Sequence, residues 1–207
     1  MKKLVFAAGF LGAVLFIVSS IIGGLQIEGY SFMGQYISES FSEGLPNVKF
    51  LRYMYMSSGV LLLLFGFMAP RFFTLSKVAK GCFYLFGILY GLGTVTVAFF
   101  PCDFGCPTAI EDSSVSQLVH NASAAITYMV VPICLLIIGG NLRSRKGSTS
   151  LAKVSSICGG LSLAFVVILF GNTASKFIGF FQRIIEASIL FWVIYFSIHI
   201  LNASKKH

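Results

Sequence analysis

Polar residues are scarce and clustered along this chain, and between the clusters lie six apolar stretches of 17 to 22 residues, at 4–25, 53–69, 81–100, 119–140, 154–174 and 184–201. A helix rises about 1.5 Å per residue, so each stretch falls in the range that crosses about 30 Å of hydrocarbon. No charge sits near the centre of any of them. The pattern predicts an all-α, polytopic bundle of six transmembrane helices, forming one domain over residues 1–207. Pro70 is a natural stop for the second helix. Pro132 lies inside the fourth, where a membrane helix tolerates it by kinking. The apolar run after Lys2 and Lys3 is longer than the 7–15 residues typical of a signal core and lacks a clear A-x-A site, so it reads as an uncleaved first helix.

Composition removes the soluble alternatives. The 207 residues are 57% hydrophobic and 11% charged, against roughly 25% charged in an ordinary soluble domain. The loops are too short for a separate domain, so any chemistry must sit in the bundle or in two modest loops.

Charge predicts the orientation. With the amino terminus inside, Lys2, Lys3, Arg71, Lys77, Lys80, Arg143, Arg145, Lys146, Lys153, Lys205 and Lys206 all lie inside. Lys49, Arg52, Lys176 and Arg183 are left outside with all seven acidic residues: Glu28, Glu39, Glu43, Asp103, Glu111, Asp112 and Glu186. This alternation satisfies the positive-inside rule at every helix and makes both termini cytoplasmic. The net charge of +8 then reflects topology and attraction to anionic inner-leaflet lipids. Nucleic acid is not an expected partner, because no loop carries a basic patch interleaved with aromatics.

Both expected outer loops carry content. In residues 26–49, Phe32, Met33, Tyr36, Ile37 and Phe41 recur at three- and four-residue spacing, with Gln35, Ser38, Glu39 and Ser42 opposite. The spacing predicts a short amphipathic helix with Ser31 as its N-cap. It either lies in the headgroup layer or closes as a lid with Gln35 and Glu39 turned toward a ligand. The second loop, 101–118, brings Cys102 and Cys106 to a side where thiols tend to be oxidised, and a local disulfide pinning the turn around Asp103 is the first reading. A redox pair competes with it, although Cys82, Cys134 and Cys158 all fall in apolar helices and read as packing residues. So does a metal site built from Cys102, Cys106 and His120 with Asp103 or Asp112, but one histidine and no second motif leave that weak, and no metal is expected.

Ionisable groups in helices are costly and mark candidate sites. Arg52, His120, Arg183 and Glu186 open their stretches, and with Asp103 they share one expected depth, from which an outward-facing pocket could be assembled. Arg183 and Glu186, three residues apart, could instead form an interfacial ion pair. No cofactor is expected. His120 and His199 sit at opposite depths, which excludes bis-histidine haem, and no Walker, HExxH, GxSxG or kinase signature occurs. Glycines in the third stretch, Gly87, Gly91 and Gly93, suggest that it is the central helix.

The runs GGLQIEGYSFMGQYISES and AFFPCDFGC, the latter followed by a helix with LVHNASAA, resemble a family of small prokaryotic membrane proteins known as domain of unknown function 998. The matching positions are Tyr30, Tyr36, Ile37, Ser38, Glu39, Phe100, Pro101, Asp103 and His120, and the likeness covers most of the chain. It implies a bundle of about six helices in a prokaryotic cytoplasmic membrane and no established activity; Cys102 and Cys106 look like an elaboration that not all members share. Three functions compete. One is a lipid- or small-ligand-binding or accessory bundle, with Arg52, Arg183, Glu186, Gln35 and Tyr36 as ligand-binding residues. A second is an outer-leaflet hydrolase or transferase with His120 as general base oriented by Asp103 or Glu39. The third is a small transporter, disfavoured by the lack of midplane charge, broken helices or an inverted repeat. The binding bundle leads, because an enzyme would need one histidine and scattered carboxylates to meet without a motif.

Overall fold

A computed structural model describes residues 1–46, 48–107 and 113–203; Glu111, Asp112, Lys205 and Lys206, which figured in the charge count, lie outside them. Every regular element among the described residues is helical. Six helices are long and apolar enough to cross a membrane: Lys2–Leu25, Val48–Phe72, Lys77–Phe99, Val115–Arg143, Thr149–Gly171 and Ile178–Asn202. Their number matches the six apolar stretches, and each helix starts two to six residues earlier than its stretch. The second starts at Val48 and the sixth at Ile178, each drawing a charged residue, Arg52 or Arg183, into helical turns. Hydropathy ends a segment at a charge, whereas the backbone ladder continues wherever that charge finds partners.

The helices meet through small residues. Where the second and third cross, a Cβ added to Gly66 would lie 2.5 Å from the Gly87 Cα, and one added to Gly91 would lie 2.4 Å from the Leu63 backbone nitrogen. Only hydrogen fits there, so the backbones touch, which is how helices associate when lipid is as apolar as their side chains. Between Gly87 and Leu92 the third helix widens into a π-helical turn. Pro132 remains inside one continuous fourth helix. Ser76 and Ser114 cap the third and fourth helices, each accepting a hydrogen bond from the backbone N–H three residues on.

The sixth helix is the central one, with 56% of its most apolar window buried against 44% for the third. The third helix, for all its glycine, sits beside the core and not at its middle: glycine permits close approach but contributes no side chain to bury. Trp192, wholly buried on the sixth helix, packs on Phe65, Phe83, Phe86 and Phe196 and donates its indole N–H to Ser155 Oγ at 2.9 Å. The start of the first helix and the end of the sixth lie at one end of the bundle, where Lys2 Nζ donates to the carbonyl of Ala203. Residues 26–46 and 101–107 gather at the other end, joined where the Glu43 N–H donates to the Cys102 carbonyl.

The 31–42 segment forms less helix than its periodicity suggests. It has a tight turn after Ser31 and a 3-10 helix over Ile37–Phe41. The hydrogen bonds give the reason. A continuous helix would pair the Phe32 carbonyl with the Tyr36 N–H and the Gln35 carbonyl with the Glu39 N–H. Arg183 takes both carbonyls, at 2.6 and 2.9 Å. The Tyr36 N–H goes instead to Glu39 Oε1, and the Glu39 N–H turns back to the Tyr36 carbonyl. Partners from the sixth helix have replaced the helical ladder.

A buried candidate ligand cavity at Glu186

Because the sixth helix starts at Ile178, Glu186 lies eight residues inside it, about 12 Å along the axis. It is therefore deeper than the interfacial position its stretch suggested, and it is 7% exposed. Its carboxyl group accepts from Tyr90 at 2.5 Å on Oε2 and from Tyr128 at 2.6 Å on Oε1. One turn earlier Gln182 donates its Nε2 to the Tyr128 oxygen at 3.0 Å, and its Oε1 accepts the Ile37 N–H at 2.7 Å. The chain of donors has one direction: Ile37 N–H to Gln182, Gln182 to Tyr128, Tyr128 to Glu186. Each buried polar group in it is satisfied, and the first loop is tied to the carboxyl group.

The third helix presents Tyr90 from its π-helical turn, the kind of distortion that recurs at functional sites. The Leu89 carbonyl there accepts from Thr127 Oγ1 at 2.7 Å, and the Tyr90 carbonyl from Thr94 Oγ1 at 2.6 Å. The turn is thus held from two sides.

Above this network is a cavity of about 60 Å³ with walls from Phe16, Phe41, Tyr55, Tyr90, Tyr128 and His120 and a roof from Ile37 and Ser38. His120 Nδ1 faces two carbonyls, Val97 at 3.2 Å and Phe100 at 3.1 Å. Both accept only, so the network assigns the proton to Nδ1 and leaves Nε2 with its lone pair. The Tyr55 hydroxyl, in a residue 1% exposed, meets no partner in good hydrogen-bond geometry among the described residues, and the Ser20 hydroxyl lies near it.

Two clefts share walls with this cavity. One, about 240 Å³, shares Ser38, His120, Ala124, Tyr128 and Gln182 and reaches Phe170 on the fifth helix. The other, about 180 Å³, shares Phe16, Ile37 and Glu186 and continues between the first and sixth helices past Ile17, Ile21 and Leu190.

Of the residues singled out in the sequence, His120 and Glu186 come together at this cavity, and Tyr36 lines the adjoining cleft. The other candidates hold the loops. Arg183 forms no ion pair with Glu186; its Nη1 donates to the carbonyls of Phe32, Gln35 and Gly179 and its Nη2 to the Tyr30 hydroxyl at 2.7 Å, with the guanidinium over the Tyr30 and Phe32 rings. Three loop oxygens satisfy more of the guanidinium's donors than one carboxylate could. Arg52 donates to the Phe41 and Ser42 carbonyls and pairs with Glu43 at 3.2 Å. Glu39 accepts from the Gln35 side chain and the Tyr36 N–H, and Gln35 Oε1 accepts from the Ser31 N–H.

Asp103 takes up the Ser114 hydroxyl at 2.6 Å and the Ser114 N–H at 3.0 Å, which together hold its carboxyl below the usual carboxylate range. Neither Asp103 nor Glu39 lies behind the His120 ring, whose Nδ1 is committed to backbone. Cys102 and Cys106 form a disulfide with Cα atoms 5.0 Å apart, and Cys106 Sγ lies 3.3 Å from Ser38 Oγ, behind the cavity roof. With both thiols consumed, no group of three His, Cys, Asp or Glu side chains converges among the described residues.

The sequence reading passed over Tyr55, Tyr90, Tyr128 and Gln182. The available signal was three tyrosines within apolar helices, each carrying a hydroxyl that burial obliges to find a partner.

A family model described as protein of unknown function (DUF998) matches residues 10–199, and the chain belongs to that family. No curated protein and no solved structure matches.

Proposed function

We propose that this member of the family is a membrane-embedded binding protein, and that the cavity at Glu186 receives the polar head of a small amphiphile whose apolar tail lies between the first and sixth helices. One observation carries the reading: Glu186 lies on both the aromatic cavity and the cleft lined by Ile17, Ile21 and Leu190. A polar anchor at one end and an apolar slot at the other is the arrangement that holds an amphiphile. The bolting of the roof by Arg52, Gln182 and Arg183 supports it further, since a preformed site avoids the ordering cost of assembly.

The distribution of lysine and arginine supports an orientation in which both termini are cytoplasmic and the roofed cavity opens toward the outer leaflet of a prokaryotic cytoplasmic membrane. Reporter fusions at Asn202 and Phe104 test it; a cytoplasmic Phe104 overturns the orientation.

The binding reading is tested by filling the cavity. Ala124 is on the wall shared with the second cleft, and Ala124→Phe puts a ring into that space. Short-chain amphiphiles raise the melting temperature of the purified full-length protein in mild detergent, and A124F abolishes the rise while keeping its helical circular dichroism. An equal rise in A124F refutes the reading.

A further inference from the structure

We infer that the head recognised at Glu186 is a primary ammonium group, an identification that rests on the binding reading above and adds the chemistry of its ligand. Gln182 Nε2 donates to the Tyr128 oxygen, and the Tyr128 hydroxyl donates to Glu186 Oε1. Tyr90 supplies a second proton to the other carboxylate oxygen. A carboxyl group that accepts on both oxygens and donates to no neighbour has the pattern of a carboxylate.

That negative charge makes no ion pair among the described residues. The one ion pair among the described residues joins Arg52 to Glu43. Arg183, one turn from Glu186 and on the wall of the same cleft, directs Nη1 and Nη2 to neutral oxygens of Phe32, Gln35, Gly179 and Tyr30 and makes no ion pair with Glu186. A carboxyl group buried without an ion-pair partner is driven toward its neutral form, so a cation that enters the cavity offsets that cost and favours the charged form.

The walls specify which cation. Phe16, Phe41, Tyr55, Tyr90 and Tyr128 make the walls aromatic, and the faces of such rings attract positive charge. The lining offers acceptors in the remaining lone pairs of Glu186 and Nε2 of His120, and the Tyr55 and Ser38 hydroxyls can accept as well as donate. An ammonium carries three N–H donors and no acceptor, and so complements a set of acceptors of which one is charged. A quaternary ammonium would answer the charge and leave the lone pairs bare. A metal ion would find too few anionic ligands. The ammonium could belong to an aminophospholipid headgroup or to a free alkylamine, since both share this chemistry.

The test is calorimetric titration of the intact protein, in nanodiscs of phosphatidylcholine and phosphatidylglycerol, with octylammonium, octanol, octanoate and octyltrimethylammonium. Octylammonium is expected to bind saturably, one per protein, and octanol and octanoate about 10-fold more weakly or worse, the loss of one charged hydrogen bond. Octyltrimethylammonium is expected to fall between them. Glu186→Gln removes the preference for octylammonium over octanol. Tyr55→Phe, which keeps the ring, weakens octylammonium about 3-fold and leaves octanol unchanged, by loss of one neutral hydrogen bond. Adding phosphatidylethanolamine to the discs separates the sources: competition with octylammonium identifies a headgroup, and no competition a free amine. Equal binding of octanol and octylammonium to the wild-type protein overturns the inference, with Glu186 neutralised by its own proton, and leaves the binding reading standing. If none of the four binds, both fall.

Discussion

Arg183 is expected to fasten the roof of the cavity, and removing its side chain tests this. In Arg183→Ala the Phe32 carbonyl, the Gln35 carbonyl and the Tyr30 hydroxyl lose donors at 2.6, 2.9 and 2.7 Å. Hydrogen bonds to a charged group are each worth about 1.5–3 kcal/mol. Their sum overstates the cost, because Nη1 shares two protons among three carbonyls and the freed oxygens, at a half-buried site, regain water. A net of about 2–4 kcal/mol for docking the loop is the reasoned figure.

At 1.4 kcal/mol per decade this raises the open population of the 30–42 segment about 30- to 700-fold. Hydrogen exchange reads that population directly, provided opening is local and reversible. The N–H groups of Gly34, Gln35, Ile37 and Glu39, all bonded within or to this segment, should exchange faster by that factor, while the sixth helix beyond Trp192 stays protected. Exchange within about 3-fold of the wild type would refute the fastening role and shift it to Arg52 and Gln182.

Gly179→Ala should loosen the same segment without removing any polar group, because its Cβ would lie 2.1 Å from the Gln35 carbonyl oxygen and 2.7 Å from Arg183 Nη1; about 1–3 kcal/mol of overpacking is expected, read by the same exchange experiment. Gly91→Ala pushes the second and third helices apart at Leu63 and should lower the unfolding midpoint in detergent by a similar energy. Cys102→Ser should cost about 2 kcal/mol or less, given the short loop closed, and mass mapping of the alkylated, non-reduced protein should return Cys102 and Cys106 as one linked peptide. Burial, opposed by the Arg183 charge, raises the Tyr30 phenol above its ordinary value of 10.0. The folded state then favours the neutral form, so the docking contribution is complete below pH 10 and is lost as the pH rises from there through the raised value. An alkaline step in loop protection that disappears in Tyr30→Phe would verify the sign.

Hydropathy is a local sum, and what depends on local sums was legible in the residues. The six helices follow from apolar length, and the disulfide from two cysteines four positions apart. The Glu186 site was legible only in outline: Glu186 and His120 stood out as costly residues, but not their partners. Tyr90 is 96 residues from Glu186 and Tyr128 is 58 away, and which hydroxyl meets which carboxyl depends on how the third, fourth and sixth helices are rotated and staggered. Arg183 illustrates the same division. Its charge ended an apolar stretch, and only packing against the 31–42 loop turned it from a helix boundary into an interior bolt whose partners extend the helix by six residues and place Glu186 two turns deep. A buried charge takes its role from the groups the fold brings within about 3 Å of it, and those lie far away along the chain.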